Sequence, residues 1–458
     1  MTVKTTHWFN RWLRRLFAAL AILSVVVGVG RASQVWLESQ QSGPRVPYLQ
    51  NVTPDAISVR WQSAEPGVGE VRYGETPTAL TQVVREPQAA IVHRLRLTGL
   101  KPATRYYYAV VNGDQVKYSG ADYWFVTAPP PGSTESLRFW VQGDPGKFSD
   151  GARAVRDAMR EWVAAHPRGD RPPFDLWLTT GDNGYSSGRD RDYQKALFAP
   201  YPELLRNIPY VPVYGNHDAR RLAFYRLFTF PEEGEGGGEP SGTAHYFSFD
   251  YGNVHFIVLD SEDSDRSDDG SMKEWLRRDL AVAKQRWRIV LFHEPPYTRA
   301  THDSDSLTDS LGRMTQMREN FLPLLEEQGV DLVLSGHSHI YERSYLLRCH
   351  YGKRKSFTER MVVQPGDGGA IPYRKPLEAA ARSGTVYAVV GSTSNLDTGP
   401  LDHPANLVVR AEYGSMMLEV EGNTLNANFI NSAGQVTDHF TIVKSADVTA
   451  SGAACEGQ

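Results

Sequence analysis

Five short blocks hold the side chains able to do chemistry. They are Gly143-Asp144-Pro145-Gly146, Gly181-Asp182-Asn183-Gly184-Tyr185, Gly215-Asn216-His217-Asp218, His293 after Val290-Leu291-Phe292, and Gly336-His337-Ser338-His339. Together they offer carboxylate, amide, phenol and imidazole donors, a mixture suited to hard and borderline cations and large enough for two of them. Taken singly, Asp144, Asp182 and Asn216 read as well as loop residues capping local backbone donors; the ordered set is what points to metal. Each block follows a short apolar run: Phe139-Trp140-Val141, Leu176-Trp177-Leu178, Tyr210-Val211-Pro212-Val213, Ile289-Val290-Leu291-Phe292 and Leu332-Val333-Leu334. Such runs, closed by glycine, predict buried strands. Side chains at the carboxyl ends of those strands are expected to converge on one edge of an open sheet. The chemistry expected of this set is two-metal cleavage of a phosphoester.

The elements that must position these residues divide the chain. Residues 45–128 contain short alternating runs, among them Ala56-Ile57-Ser58-Val59-Arg60-Trp61 and His93-Arg94-Leu95-Arg96-Leu97, spaced by turn residues. They predict an all-β sandwich with no cluster of titratable groups. The stretch Leu100-Lys101-Pro102-Ala103-Thr104-Arg105-Tyr106, with Trp61 upstream, resembles the tyrosine corner and core tryptophan of fibronectin type III domains. The run Ala128-Pro129-Pro130-Pro131-Gly132 reads as a stiff linker. Residues 136–445 alternate strand and helix signals, as a layered α/β domain does. A helix is predicted from Ser149 to about Ala165, with Val155, Met159 and Trp162 on one face. The glycine-rich stretch 232–242 is expected to be a flexible loop at the rim of the site. Strand signals after Gly384 are expected to complete a second sheet, and 446–458 reads as a polar tail.

Composition permits this and narrows the function. The 458 residues carry 49 basic and 53 acidic side chains, a net charge of −4, which gives no electrostatic case for nucleic-acid binding. At the amino terminus, Lys4, Arg11, Arg14 and Arg15 precede an apolar run over residues 16–30. That pattern makes 1–32 a signal peptide or an uncleaved membrane anchor. Gly30-Arg31-Ala32 offers an imperfect cleavage site, and Arg14-Arg15-Leu16-Phe17 resembles a twin-arginine signal. Export from the cytoplasm is expected, with membrane contact only through that segment. Cys349 and Cys455, the two cysteines, leave a disulfide and two free thiols equally open.

The motif order GDxG, GDxxY, GNHD, VxxH, GHxH resembles the purple acid phosphatases, a branch of the calcineurin-like metallophosphoesterases. The resemblance continues through His339-Ile340-Tyr341-Glu342-Arg343 and covers roughly residues 45–445. It implies a fold of two mixed β-sheets flanked by helices, preceded by the fibronectin-like sandwich. It also implies a dinuclear centre: Asp144, Tyr185 and His339 holding Fe(III), Asn216, His293 and His337 holding divalent Fe, Zn or Mn, and Asp182 bridging. Hard anionic phenolate and carboxylate suit the trivalent ion, imidazole and amide the divalent one. His217 would face the substrate, as a phosphate-binding or proton-donating group, with Asp218 either orienting it or capping a turn. His302 would protonate the leaving group. Ser338 would turn away, and Glu294, Tyr341 and His255 would be structural.

The implied activity is hydrolysis of small phosphate monoesters by in-line attack of a metal-activated hydroxide, without a phosphoenzyme. Two other readings stay open: a phosphodiesterase on the same metals, and a non-catalytic surface or adhesion protein. Seven donors in register argue against the last.

Overall fold

The computed structural model describes residues 42–218, 222–449 and Cys455. The predicted leader, 1–32, lies outside the described residues, as does most of the tail. Among the described residues no helix is long and apolar enough to cross a membrane.

The first strands are β1 (Arg45–Gln50), β2 (Ala56–Gly74), β3 (Gln82–Thr98), β4 (Arg105–Asn112), β5 (Gln115–Tyr118) and β6 (Trp124–Val126). Hydrogen-bonded pairing links all six into one antiparallel network. The reason is the length of β2: its first half pairs with β1, its second half with β4, and β3 follows it along both. Trp61 is buried and stacks on the His93 ring at 4.4 Å. The Lys101 amide donates to the Tyr106 hydroxyl at 3.0 Å, the bond of a tyrosine corner. His93 is buried between Ser63 and Glu86, with no part in chemistry. This sheet packs on the larger domain through a buried Arg45–Asp190 ion pair and a hydrogen bond from the Tyr48 hydroxyl to the Leu227 carbonyl.

The remaining strands are β7 (Leu137–Gln142), β8 (Leu176–Thr179), β9 (Tyr210–Val211), β10 (Phe247–Tyr251), β11 (Val254–Val258), β12 (Trp287–Leu291), β13 (Leu332–Ser335), β14 (Tyr341–Ser344), β15 (Tyr373–Pro376), β16 (Val386–Val390), β17 (Asn406–Arg410), β18 (Gly414–Glu421), β19 (Thr424–Asn431) and β20 (Val436–Ser445). They make two seven-stranded mixed sheets, ordered β15-β20-β19-β18-β7-β8-β9 and β10-β11-β12-β13-β16-β14-β17. Within them β7, β8 and β9 run parallel, and so do β11, β12, β13 and β16. Their residues are buried, Val211 excepted, and mostly apolar, as strands covered on both faces must be. The helix Asp150–Ala165 follows β7, capped by Ser149, whose hydroxyl accepts from the Ala152 amide at 3.2 Å.

Two expectations change here. The strands after Gly384 do not complete one sheet: β16 joins the sheet of β12 and β13, whereas β18 and β20 join that of β7. The stretch 232–242 is no flexible rim loop. Gly237 bridges to Phe249 of the edge strand β10, and the Asp250 amide donates to the Gly236 carbonyl. A Cβ on Gly238 would lie 1.9 Å from the Ser248 hydroxyl, so glycine there permits the close approach that covers the sheet edge.

The two sheets are joined by a buried charge cluster that no sequence pattern announced. Asp331, just before β13, meets Lys375 of β15 at 2.7 Å and Lys444 of β20 at 2.8 Å, all three almost wholly buried. Burial lowers the Lys444 ammonium to about 8, against the pull of Asp331. Asp331→Ala would leave two ammonium groups buried without a counter-charge. We expect a loss of about 3–5 kcal/mol, read as a lower denaturation midpoint. His255 is likewise structural. Burial would lower its pKa, but Asp250 at 2.7 Å and Asp279 at 2.8 Å raise it to about 9. Cys349 and Cys455 form a disulfide.

Candidate metal centre

Two sheets, not one edge, deliver the predicted donors. Asp144, Asp182 with Tyr185, and Asn216 follow β7, β8 and β9 in the first sheet. His293 follows β12, and His337 and His339 follow β13, in the second. Tight turns at the strand ends aim them inward, with Asp144, Asp182 and His337 at φ of 55°, 57° and 68°. Gly181 shows why glycine precedes a donor: at φ 105° a Cβ there would lie 2.3 Å from Nδ1 of His293.

The donors fall into two groups. In one, Tyr185 Oη lies 3.1 Å from Asp144 Oδ1 and 3.0 Å from His339 Nε2. In the other, Asn216 Oδ1 lies 2.9 Å from His293 Nε2 and 3.0 Å from His337 Nδ1. Asp182 stands beside both groups. Its Oδ1 is 3.4 Å from His293 Nε2, and its charge acts on Tyr185 and Asp144. Donors that each sit about 2.1 Å from one cation lie about 3 Å apart, which is this spacing.

The electrostatics point the same way. Asp144 and Asp182 are buried, and among the described residues only histidines form ion pairs with them. Burial and then Asp182 push the Asp144 carboxyl well above its usual range, and burial with both carboxylates holds the Tyr185 phenol up. Buried acids with no lysine or arginine paired to them are what bound cations would neutralise. Burial, and then the neighbouring histidines, keep His337 neutral, the form that ligates metal. The residues present therefore fit a pair of metal ions.

Hydrogen bonds fix each imidazole. His293 Nδ1 donates to the Thr180 carbonyl at 2.8 Å, which leaves Nε2 bare. His339 Nδ1 faces Asp397 Oδ1 at 3.0 Å, and His337 Nε2 faces the Ser310 hydroxyl at 2.7 Å. Such outer partners set the tautomer and raise basicity. Sequence reasoning missed Asp397, although it stands in the loop after Gly391 and β16, the same strand–glycine–loop pattern as the named blocks. Read as structural, Glu294 is buried with Oε2 3.4 Å from His337 Nε2. Ser338 does turn away, hydrogen-bonded to Thr298, and the Tyr341 hydroxyl donates to Asp438.

His217 and His302 flank the two groups. His217 is half-buried, edge-on to Tyr185 at 4.6 Å between ring centroids, with Nδ1 2.9 Å from the Ser186 carbonyl. His302 stacks on His337 at 3.9 Å. Asp218 does not orient His217. Its carboxylate is buried and takes bonds from the Tyr193 hydroxyl, the Gly215 amide and both nitrogens of Asn183. Burial, then Asp182, raises it to about 7. A buried acceptor that ties three loop segments together has no lone pair directed at a ring beyond them; Asp218 shapes the loops that carry Asp182 and Asn216.

The family model described as calcineurin-like phosphoesterase matches residues 137–341, and that of the purple acid phosphatase N-terminal domain matches residues 45–127. The chain is a purple acid phosphatase-like member of the calcineurin-like phosphoesterases, a membership that implies a dinuclear metal centre. It is 28% identical to purple acid phosphatase 15 of Arabidopsis thaliana over 316 residues, covering 61% of this chain and 54% of that one. To an uncharacterized protein of Mycobacterium tuberculosis it is 27% identical over 445 residues, 82% of this chain and 77% of the other. The chain spans 54% of the length of purple acid phosphatase 15 and 61% of the length of purple acid phosphatases 21 and 22 of the same plant. The structure of a purple acid phosphatase from yellow lupin seeds superposes with a TM-score of 0.68 at 19% identity, over 90% of this chain and 78% of that one, a likeness of fold.

Proposed function

We propose that this protein hydrolyses small phosphate monoesters at a dinuclear metal centre. The observation that carries the reading is the clustering of two donor groups, from two sheets, around a shared buried carboxylate. Asp144, Tyr185 and His339 would hold Fe(III), Asn216, His293 and His337 a divalent Fe, Zn or Mn, and Asp182 both. When bound, the two cations would polarise phosphoryl oxygens and lower the pKa of a water. The protein's own groups do the rest. His217, half-exposed beside Tyr185, faces the phosphoryl oxygens and stabilises charge that grows on them. His302 supplies a proton to the departing alkoxide. Asp397, Thr180 and Ser310 keep the ligating nitrogens aimed. The all-β amino-terminal domain is read as fibronectin type III-like, on Trp61 and the Tyr106 corner, and as a packing partner without a role in the chemistry. The disulfide fits an oxidising compartment, in keeping with an exported protein.

The test is a panel of phosphomonoesters and phosphodiesters assayed alongside metal analysis. Two metals per chain and faster turnover of monoesters are expected; preference for diesters would assign the site to the alternative class. Purified protein should also show a broad visible band that Tyr185→Phe removes. A colourless, fully active protein holding only Mn or Zn would sink the Fe(III)–tyrosine assignment and leave the hydrolase reading standing.

A further inference from the structure

The segment between His302 and Arg313 does something the metal ligands do not require. Ser310, Leu311 and Gly312 stand consecutively at φ of 48°, 56° and 74°. Two of the three carry side chains, and left-handed backbone is unfavourable for both. Packing does not repay Leu311, which is 74% exposed. The turn does bring Asp309 and Ser310 against the centre. Asp309 Oδ1 accepts from His302 Nδ1 at 2.9 Å and from the Ser310 hydroxyl at 3.1 Å. The same hydroxyl meets His337 Nε2 at 2.7 Å, and the other Asp309 oxygen accepts from the Asp303 amide at 2.9 Å.

We propose that Asp309 is a positioning residue that the left-handed turn sets between His302 and Ser310. One carboxylate then orients both the ring of His302 and, through the Ser310 hydroxyl, the outer nitrogen of His337. The inference rests on the dinuclear hydrolase reading above. In the step it serves, the bond from phosphorus to the alkoxide oxygen breaks and that oxygen's electron pair takes the proton from His302 Nε2. The attacking water leaves its oxygen on phosphorus, and its proton restores His302. A carboxylate on Nδ1 fixes which nitrogen points at the leaving oxygen. A hydroxyl on His337 Nε2 keeps its Nδ1 directed at the divalent ion.

The experiment uses the full metal-loaded chain and reads both turnover and metal retention against graded chelator. Two esters are compared: p-nitrophenyl phosphate, whose leaving group departs unprotonated, and an alkyl phosphate, whose alkoxide does not. Asp309→Asn is expected to lower kcat on the alkyl ester about 10–100-fold, with a much smaller loss on the nitrophenyl ester and little change in KM. In a His302→Ala background, Asp309→Asn should add no further discrimination between the esters. Ser310→Ala should weaken retention of one metal about tenfold while leaving the preference between esters as in the parent. Leu311→Gly should fold and turn over normally. Equal losses on both esters with parental metal retention would make Asp309 merely structural and overturn the proposal, as would parental kinetics in Asp309→Asn. Should Asp309→Asn not fold, parental metal retention in Ser310→Ala would overturn it instead. A parent chain that binds no metal and cleaves neither ester would fail earlier, at the hydrolase reading itself.

Discussion

Replacing His293 or Asn216 with alanine is expected to give a folded protein that holds about one metal fewer per chain and has lost several orders of magnitude in activity. Both side chains meet at one point, Asn216 Oδ1 being 2.9 Å from His293 Nε2, and His337 Nδ1 is the third member of that group. Deleting one member would open the coordination of the proposed divalent ion, which would have no anionic donor apart from Asp182. The group of Asp144, Tyr185 and His339 keeps its carboxylate and phenolate, so the visible band should stay nearly normal. Activity should fall steeply because stabilising both the attacking and the leaving oxygen needs both ions. Metal content, absorbance and turnover measured on the same preparation check the prediction. Full activity in both variants would mean that these residues are structural.

His217→Ala should behave differently, keeping both metals and the colour while losing about 10²–10³-fold in rate, the scale of a single transition-state donor or proton-transfer group. The structure gives the reason for the contrast. His217 stands edge-on to Tyr185, with Nδ1 occupied by the Ser186 carbonyl, and contacts the centre through that ring, not as one of the seven donors. Its backbone amide donates to Asp182 Oδ1 at 2.7 Å, a bond that the alanine variant retains, so that carboxylate should not move. Loss of metal in His217→Ala would show instead that the imidazole is a ligand or a prop for one.

Much of this was legible in the chain itself, for a physical reason. A donor that must stand at the end of a buried strand needs an apolar run before it and a glycine turn beside it, and both are local. Hence the runs before Asp144, Asp182, His293 and His337 coincide with β7, β8, β12 and β13. The helix capped by Ser149 was equally local, set by one hydroxyl and a 3.6-residue apolar period. The layered α/β class and the all-β domain before it follow from the same alternation, whereas the two mixed sheets came with the family resemblance.

What the chain alone did not carry is which distant segments meet. The assignment of β16 to one sheet and β18 to the other, the Asp331 cluster, and the cover of β10 by residues 232–242 all depend on pairings between remote stretches. The outer hydrogen bonds of the centre share that dependence: Asp397 serves His339, and Asp309 serves His302 and, through Ser310, His337. Asp218 is the sharpest case, since its place beside His217 suggested a partner that its burial against Tyr193 and Asn183 denies it. Sequence determined the donor types and the strand ends that present them, because these are fixed by nearest neighbours. Tertiary structure alone decided which carboxylates and hydroxyls hold which ring, because hydrogen bonds act over about 3 Å whatever the distance along the chain.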